Sequence, residues 1–173
     1  GLLGMLVFSE RHLDNGASVF TPAASSIPGS VHEAEALTAR LEHSEVFPLA
    51  LFSLAGMMVF LAATDLLTMF VGLEVMSLPL YLLSAMARRR RLLSQEAALK
   101  YFLLGAFSSA FFLFGMALLY GYAGSFDLKA IDAAITSPYY GPGLLYVGLA
   151  MLAIGMLFKI GVVPFHNWVP DVY

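Results

Sequence analysis

The sequence predicts an all-α protein, a polytopic bundle of transmembrane helices. Composition points there first: of 173 residues 60% are hydrophobic and 12% charged, and the mean hydropathy is +0.81, against roughly 25% charged in an ordinary soluble domain. Four apolar stretches also have the length of about 20 residues that a membrane-crossing helix needs, at about 46–64, 66–87, 96–122 and 143–169. Turn and charge signals fall between them. Nine Lys and Arg against twelve Asp and Glu give a net charge of -3, with no basic surplus to hold nucleic acid, and the apolar content excludes disorder. There is no cysteine, so neither a disulfide, nor a thiolate-held iron–sulfur cluster, nor a covalently attached haem fits. No glycine-rich phosphate cradle occurs, no His, Asp or Glu pair has metal spacing, and no serine has a visible base. The residues therefore predict no cofactor and no metal in this chain.

Taken in order, Gly1–Phe8 is apolar but rises only about 12 Å as a helix, and reads as the end of a preceding transmembrane helix. Residues 9–45 form a polar loop broken by Pro22, Pro28 and Gly29. Within it Ser30 and Glu33 have capping-box spacing and Ala34, Leu37 and Leu41 share a face, which predicts a short amphipathic surface helix. The first two spans are separated only by Thr64-Asp65, so they form a tight hairpin with Asp65 capping the second helix. Arg88 to Arg91 end the second span, and Ser94 is the expected cap of the third. Phe126 to Ile135, with Leu128, Ile131 and Ile135 on one side, predicts an interfacial helix. Pro138-Tyr139-Tyr140-Gly141-Pro142 follows it at headgroup level. Arg11, Arg40 and the four arginines of the run lie on one face, against Lys129 on the other. Basic loops stay inside, so loops 9–45 and 88–94 are expected to be cytoplasmic, in a bacterial plasma membrane.

Within these spans three charges are conspicuous: Glu74, Lys100 and Lys159. A charge at a helix centre costs about 2.5–3.5 kcal/mol on insertion scales, and such residues mark ion or proton paths by default. Glu74 lies about 21 Å along its helix from Arg88, beyond the reach of its side chain, among Gly72, Ser77 and Pro79. A structural acid hydrogen-bonded to a neighbouring helix is the alternative there. Lys159 precedes Pro164, which removes a backbone donor and leaves the carbonyl of Ile160 unpaired, so a helix break is expected beside the lysine. Gly148, Gly155, Lys159 and His166 fall within about 40° of one another on an ideal helix. That stripe can also be read as a close-packing face with a structural lysine. Lys100 is shallower and either snorkels or works inside the bundle beside Gly105, Ser108 and Ser109. His166 suits a proton relay or an interfacial anchor. Moving a carboxylate and an ammonium together or apart in apolar surroundings changes how firmly each holds its proton, so such a pair is a proton switch.

Three motifs then carry a resemblance covering about 45–173. They are Gly72-Leu73-Glu74-Val75-Met76-Ser77-Leu78-Pro79-Leu80-Tyr81-Leu82-Leu83; Glu96-Ala97-Ala98-Leu99-Lys100-Tyr101-Phe102; and Phe158-Lys159 through Pro164-Phe165-His166-x-Trp168-x-Pro170-Asp171-Val172-Tyr173. In this order they resemble the antiporter-like membrane subunits of proton-translocating NADH:quinone oxidoreductase, respiratory complex I, and among these the subunit N type. The resemblance implies a fragment of an antiporter-like fold with inverted repeats and a broken helix, residues 46–173 supplying four helices of the first repeat. It implies that Glu74 and Lys159 form the central pair of a proton channel, accompanied by Lys100 and His166, with the helix broken at Pro164. NADH, FMN, iron–sulfur clusters and quinone would bind partner subunits. The partners implied are the other membrane subunits of the complex, including sister antiporter-like subunits, and the lipid bilayer. A subunit of a multi-subunit sodium/proton antiporter, and a structural spacer with a buried packing pair, are the competing readings.

Overall fold

The computed structural model describes residues 30, 31, 34, 45–86, 91–136 and 141–172. The expected helix tail at 1–8, nearly all of the polar loop, the arginines at 88–90 and Tyr139-Tyr140 lie outside them. At the loop's described positions Val31 and Ala34 are helical, with the Ala34 N–H donating to the Ser30 carbonyl at 3.2 Å.

Among the described residues six helices follow: α1 (Val46–Ala62), α2 (Leu66–Ala85), α3 (Arg91–Ala123), α4 (Leu128–Thr136), α5 (Gly143–Ile160) and α6 (Val169–Val172). Among the described residues α2, α3 and α5 are long and apolar enough to cross a membrane, and α1 is a shorter apolar helix of 17 residues. It rises about 26 Å, at the short edge of what a bilayer core accepts. Large side chains such as Phe52, Met58, Leu61, Phe107, Phe114 and Tyr146 stand exposed along the helices. Apolar surface on that scale needs a lipid or protein cover.

The α1–α2 hairpin forms as its turn residues dictate. Asp65 accepts from the Thr68 N–H at 2.8 Å and from the Thr68 hydroxyl at 2.7 Å, satisfying donors that a helix start leaves orphaned. Glycines let the two helices touch: a Cβ on Gly72 would stand 2.7 Å from the Phe60 backbone nitrogen. The turn is also tied to the α3–α4 loop by a short antiparallel bridge, Leu66 N–H to Phe126 carbonyl at 3.0 Å and Leu128 N–H to Thr64 carbonyl at 3.1 Å. Asp127 caps α4 by accepting from the Lys129 and Ala130 N–H groups at 2.8 and 3.0 Å.

Helix α3 is the hub, packing on α2, α4, α5 and α6. It begins at Arg91 rather than at Ser94, which is buried inside the first turns. Arg and Leu at 91–93 are good helix formers, so no capping serine is needed, and the helix rises about 50 Å. Where α3 meets α5, Ser108 donates its hydroxyl to the Gly155 carbonyl at 2.9 Å, and Gly115 opposes the Gly148 carbonyl. Two apolar clusters close the bundle at its ends. Leu66, Met116, Leu119, Tyr122, Ile131 and Leu145 gather at the hairpin end; Tyr81, Tyr101, Phe158 and Trp168 gather at the other.

The fourth apolar stretch is not one span to 169. Helix α5 stops at Ile160, where Gly161 takes a left-handed conformation with φ 72°. The Gly161 N–H donates to the Phe158 carbonyl at 3.0 Å and the Val162 N–H to the Leu157 carbonyl at 3.2 Å, the paired bonds of a Schellman stop. The break expected beside Lys159 thus begins at Gly161, three residues before Pro164. A residue without a Cβ tolerates the reversal, and Pro164, after a cis peptide bond, lies already within the turn.

Candidate functional site

Between the two apolar clusters lies a group of polar side chains from three helices. Along α2, Glu74 stands about 12 Å from the level of Leu66 and about 10 Å from that of Tyr81. Ser77, three residues on, shares its face. Neither Glu74 nor Ser77 disturbs the helix, which continues through Pro79 to Ala85.

Lys159 enters from the last turn of α5, where the carbonyl end of the helix favours a cation. Its ammonium donates to the hydroxyl of Ser77, which is fully buried. Ser77 in turn donates to the Leu73 carbonyl. From α3, Ser109 donates its hydroxyl to Glu74 Oε1. The ammonium also lies 5.6 Å from the ring centre of Tyr81 and 5.7 Å from that of Tyr101, within cation–π range. Glu74 and Lys159 thus share one site, but each is held by a hydroxyl.

The aromatic side of the cradle is braced by the broken segment. Tyr81 and Tyr101 meet edge to face at 4.6 Å, and Tyr101 stacks on Trp168 at 4.5 Å with 7° between the planes. The Trp168 indole N–H donates to the Phe158 carbonyl at 3.1 Å. That carbonyl also accepts from Gly161, so both its lone pairs are used and the residue before Lys159 is fixed.

The other two predicted site residues stand elsewhere. Lys100 is exposed and paired with Glu96 at 2.8 Å, one helical turn away, and with Asp171 of α6 at 3.0 Å. His166 is exposed in the turn after the break, its carbonyl accepting from the Val169 N–H. The structure brings together Glu74 and Lys159, not all four. It adds Ser77, Ser109, Tyr81, Tyr101 and Trp168, of which only Ser77 had a readable signal, its i+3 spacing from Glu74. Among the described residues no three His, Asp or Glu side chains gather to hold a metal.

Comparison with known proteins agrees with this architecture. Residues 63–173 match the family model described as NADH:quinone oxidoreductase/Mrp antiporter, TM. A relative from a Nocardioides species, named NADH-quinone oxidoreductase subunit N, is 59% identical over 170 residues, covering 98% of this chain and 32% of the relative. A chain of respiratory complex I from Thermus thermophilus with bound aureothin superposes with a TM-score of 0.65 at 45% identity, over 75% of this chain and 28% of that one. A chain of the membrane-bound sulfane sulfur reductase, an archaeal respiratory membrane complex, gives 0.66 at 30% identity, over 77% and 26%. The chain spans about a third of the length of the curated relatives it matches. With the helices and the family model in agreement, the chain belongs to the transmembrane family of NADH:quinone oxidoreductases and Mrp antiporters.

Proposed function

We propose that this chain is part of a non-redox membrane subunit that translocates protons in an NADH:quinone oxidoreductase, driven by quinone reduction in partner subunits. The observation that carries the proposal is the placement of Glu74 and Lys159 in one partly buried polar site between α2, α3 and α5. Intramembrane ionisable groups are expensive and persist where they work. A carboxylate and an amine in a shared apolar setting govern each other's protonation, so a change in their distance loads or releases a proton. Lys100, ringed by Glu96 and Asp171, would exchange protons at the arginine side, and His166, exposed beyond the break, would serve the same side. NADH, FMN, iron–sulfur clusters and quinone are assigned to partner subunits, since this chain has no cysteine to ligate a cluster. The relatives' printed names favour this reading over a subunit of a multi-subunit sodium/proton antiporter.

The test follows NADH-dependent quinone reduction and proton uptake together in inverted vesicles carrying the full-length subunit. Lys159→Ala and Glu74→Gln are each expected to lower both by about tenfold or more, with the complex still assembled. Normal NADH oxidation with loss of sodium-dependent proton exchange would instead identify an antiporter. Wild-type behaviour of both variants would leave a structural spacer.

A further inference from the structure

We propose that Ser77 and Ser109 are positioning residues that hold Lys159 and Glu74 apart, each charge parked on a hydroxyl rather than on the other. This rests on the proposed proton function of the pair and concerns how the pair is kept ready to move.

The hydrogen-bond directions carry the argument. A serine hydroxyl has one proton to give and two lone pairs to offer. Ser77 spends its proton on the Leu73 carbonyl of its own helix, so it faces Lys159 as an acceptor, and the ammonium donates to it. Ser109 does the reverse: its proton goes to Glu74 Oε1. Each serine thus presents the polarity that its charged partner needs. Side-by-side approach of the two charges would gain Coulomb energy that grows steeply where the dielectric is low, and a contact pair in an apolar bundle would be hard to open. A hydroxyl satisfies each charge with a shallower well. The two latches also come from different helices, Ser77 from α2 and Ser109 from α3, while Lys159 comes from α5. Sliding of α5 or α3 against α2 therefore exchanges latch for partner.

The surroundings limit what else can act on the pair. Among the described residues the other titratable groups at the site are Tyr81 on α2 and Tyr101 on α3, whose rings face the ammonium. Helix α1 contributes no titratable side chain, and Lys159 is the one charged residue of α5. The Lys100, Glu96 and Asp171 cluster, on α3 and α6, is the next group of charges and is satisfied within itself; His166 is exposed in the turn.

The experiment uses the assembled complex with the full-length subunit, in inverted vesicles, with intact complex quantified on native gels. Ser77→Ala and Ser109→Ala are each expected to slow proton uptake about three- to tenfold and to displace its pH profile. Ser109→Thr, which keeps the hydroxyl, restores both. Ser108→Ala removes a neighbouring hydroxyl bonded to the Gly155 carbonyl and leaves the pH profile in place. A wild-type profile in both alanine variants overturns the inference, as does a slowed rate at an unmoved profile, or Ser109→Thr behaving like Ser109→Ala. If Glu74→Gln abolishes pumping while the serine variants are silent, this inference alone fails. If Glu74→Gln is itself silent, the underlying proton reading fails with it.

Discussion

Asp65 shows how much one carboxylate settles at a membrane boundary. The Thr68 N–H and hydroxyl both donate to it, and they hold its carboxyl below the usual carboxylate range. A carboxylate depressed on folding adds stability that is present above its unfolded pKa of about 3.9 and is lost as the pH falls through the folded value. Asp65→Ala is therefore expected to lower the Tm of the subunit at neutral pH, with the difference from wild type shrinking only as the pH drops below about 4. Asp65→Asn keeps a capping oxygen without the charge, and is expected to stay near the wild-type Tm with that pH dependence removed. Equal Tm values for Asp65→Ala and wild type at neutral pH would dismiss the cap as a stabilising contact. This residue was readable in the sequence because a cap acts over three positions. Pro164 places the expected break beside Lys159, and the helix does stop there, with Gly161, a glycine just after the lysine, as the stopping residue. Ser109 was not readable: its partner Glu74 lies 35 positions away, and nothing local says which helix it faces.

Between elements, the helices pack by the absence of side chains. Gly56, Gly72 and Gly115 lie where another backbone crosses, and a Cβ on Gly115 would stand 2.7 Å from both the Gly148 carbonyl oxygen and the Leu152 nitrogen. Those are backbone atoms and cannot rotate away, so α3 and α5 would have to part. Gly115→Ala is expected to destabilise the fold by about 1–3 kcal/mol, the cost of overpacking. Gly121, further along the same helix, is different: a Cβ there would meet nothing within 4 Å. Gly121→Ala should be neutral or stabilising by about 0.5–1 kcal/mol, since alanine suits a helix better than glycine. Thermal unfolding of both variants in one detergent decides the matter, and equal losses would show that α3 and α5 are not in close contact there. The stripe of Gly148 and Gly155 on α5 was visible from periodicity, and both glycines do face α3. Its continuation to His166 failed because the periodicity of an ideal helix does not survive the stop at Gly161. Lys100 illustrates the same limit: Asp171, its partner across the break, is 71 positions away.

Taken whole, the molecule is a polar centre between two apolar stoppers. The number and order of the long helices follow from hydrophobic length alone, which is why the sequence reveals them; the two stoppers depend on which helix faces which, and no local pattern carries that. The stopper at the hairpin end draws Leu66 from α2, Met116, Leu119 and Tyr122 from α3, Ile131 from α4 and Leu145 from α5, so four elements close one end of the site. The proton function proposed for Glu74 and Lys159 requires that this end not leak. Leu119 is 2% exposed and fills the middle of the stopper. Leu119→Ala should cost about 2–5 kcal/mol of stability through the cavity it leaves, yet the cavity is lined by apolar groups and stays dry. Leu119→Asn removes similar packing and supplies polar atoms that hold water in the same space. In inverted vesicles with the full-length subunit, a proton gradient should therefore decay faster with Leu119→Asn than with Leu119→Ala, and Leu119→Ala should match wild type. Equal decay in all three, with the complex intact, would mean that the barrier to protons lies elsewhere in the subunit. Equal acceleration in both variants would mean that packing rather than dryness is what seals this end.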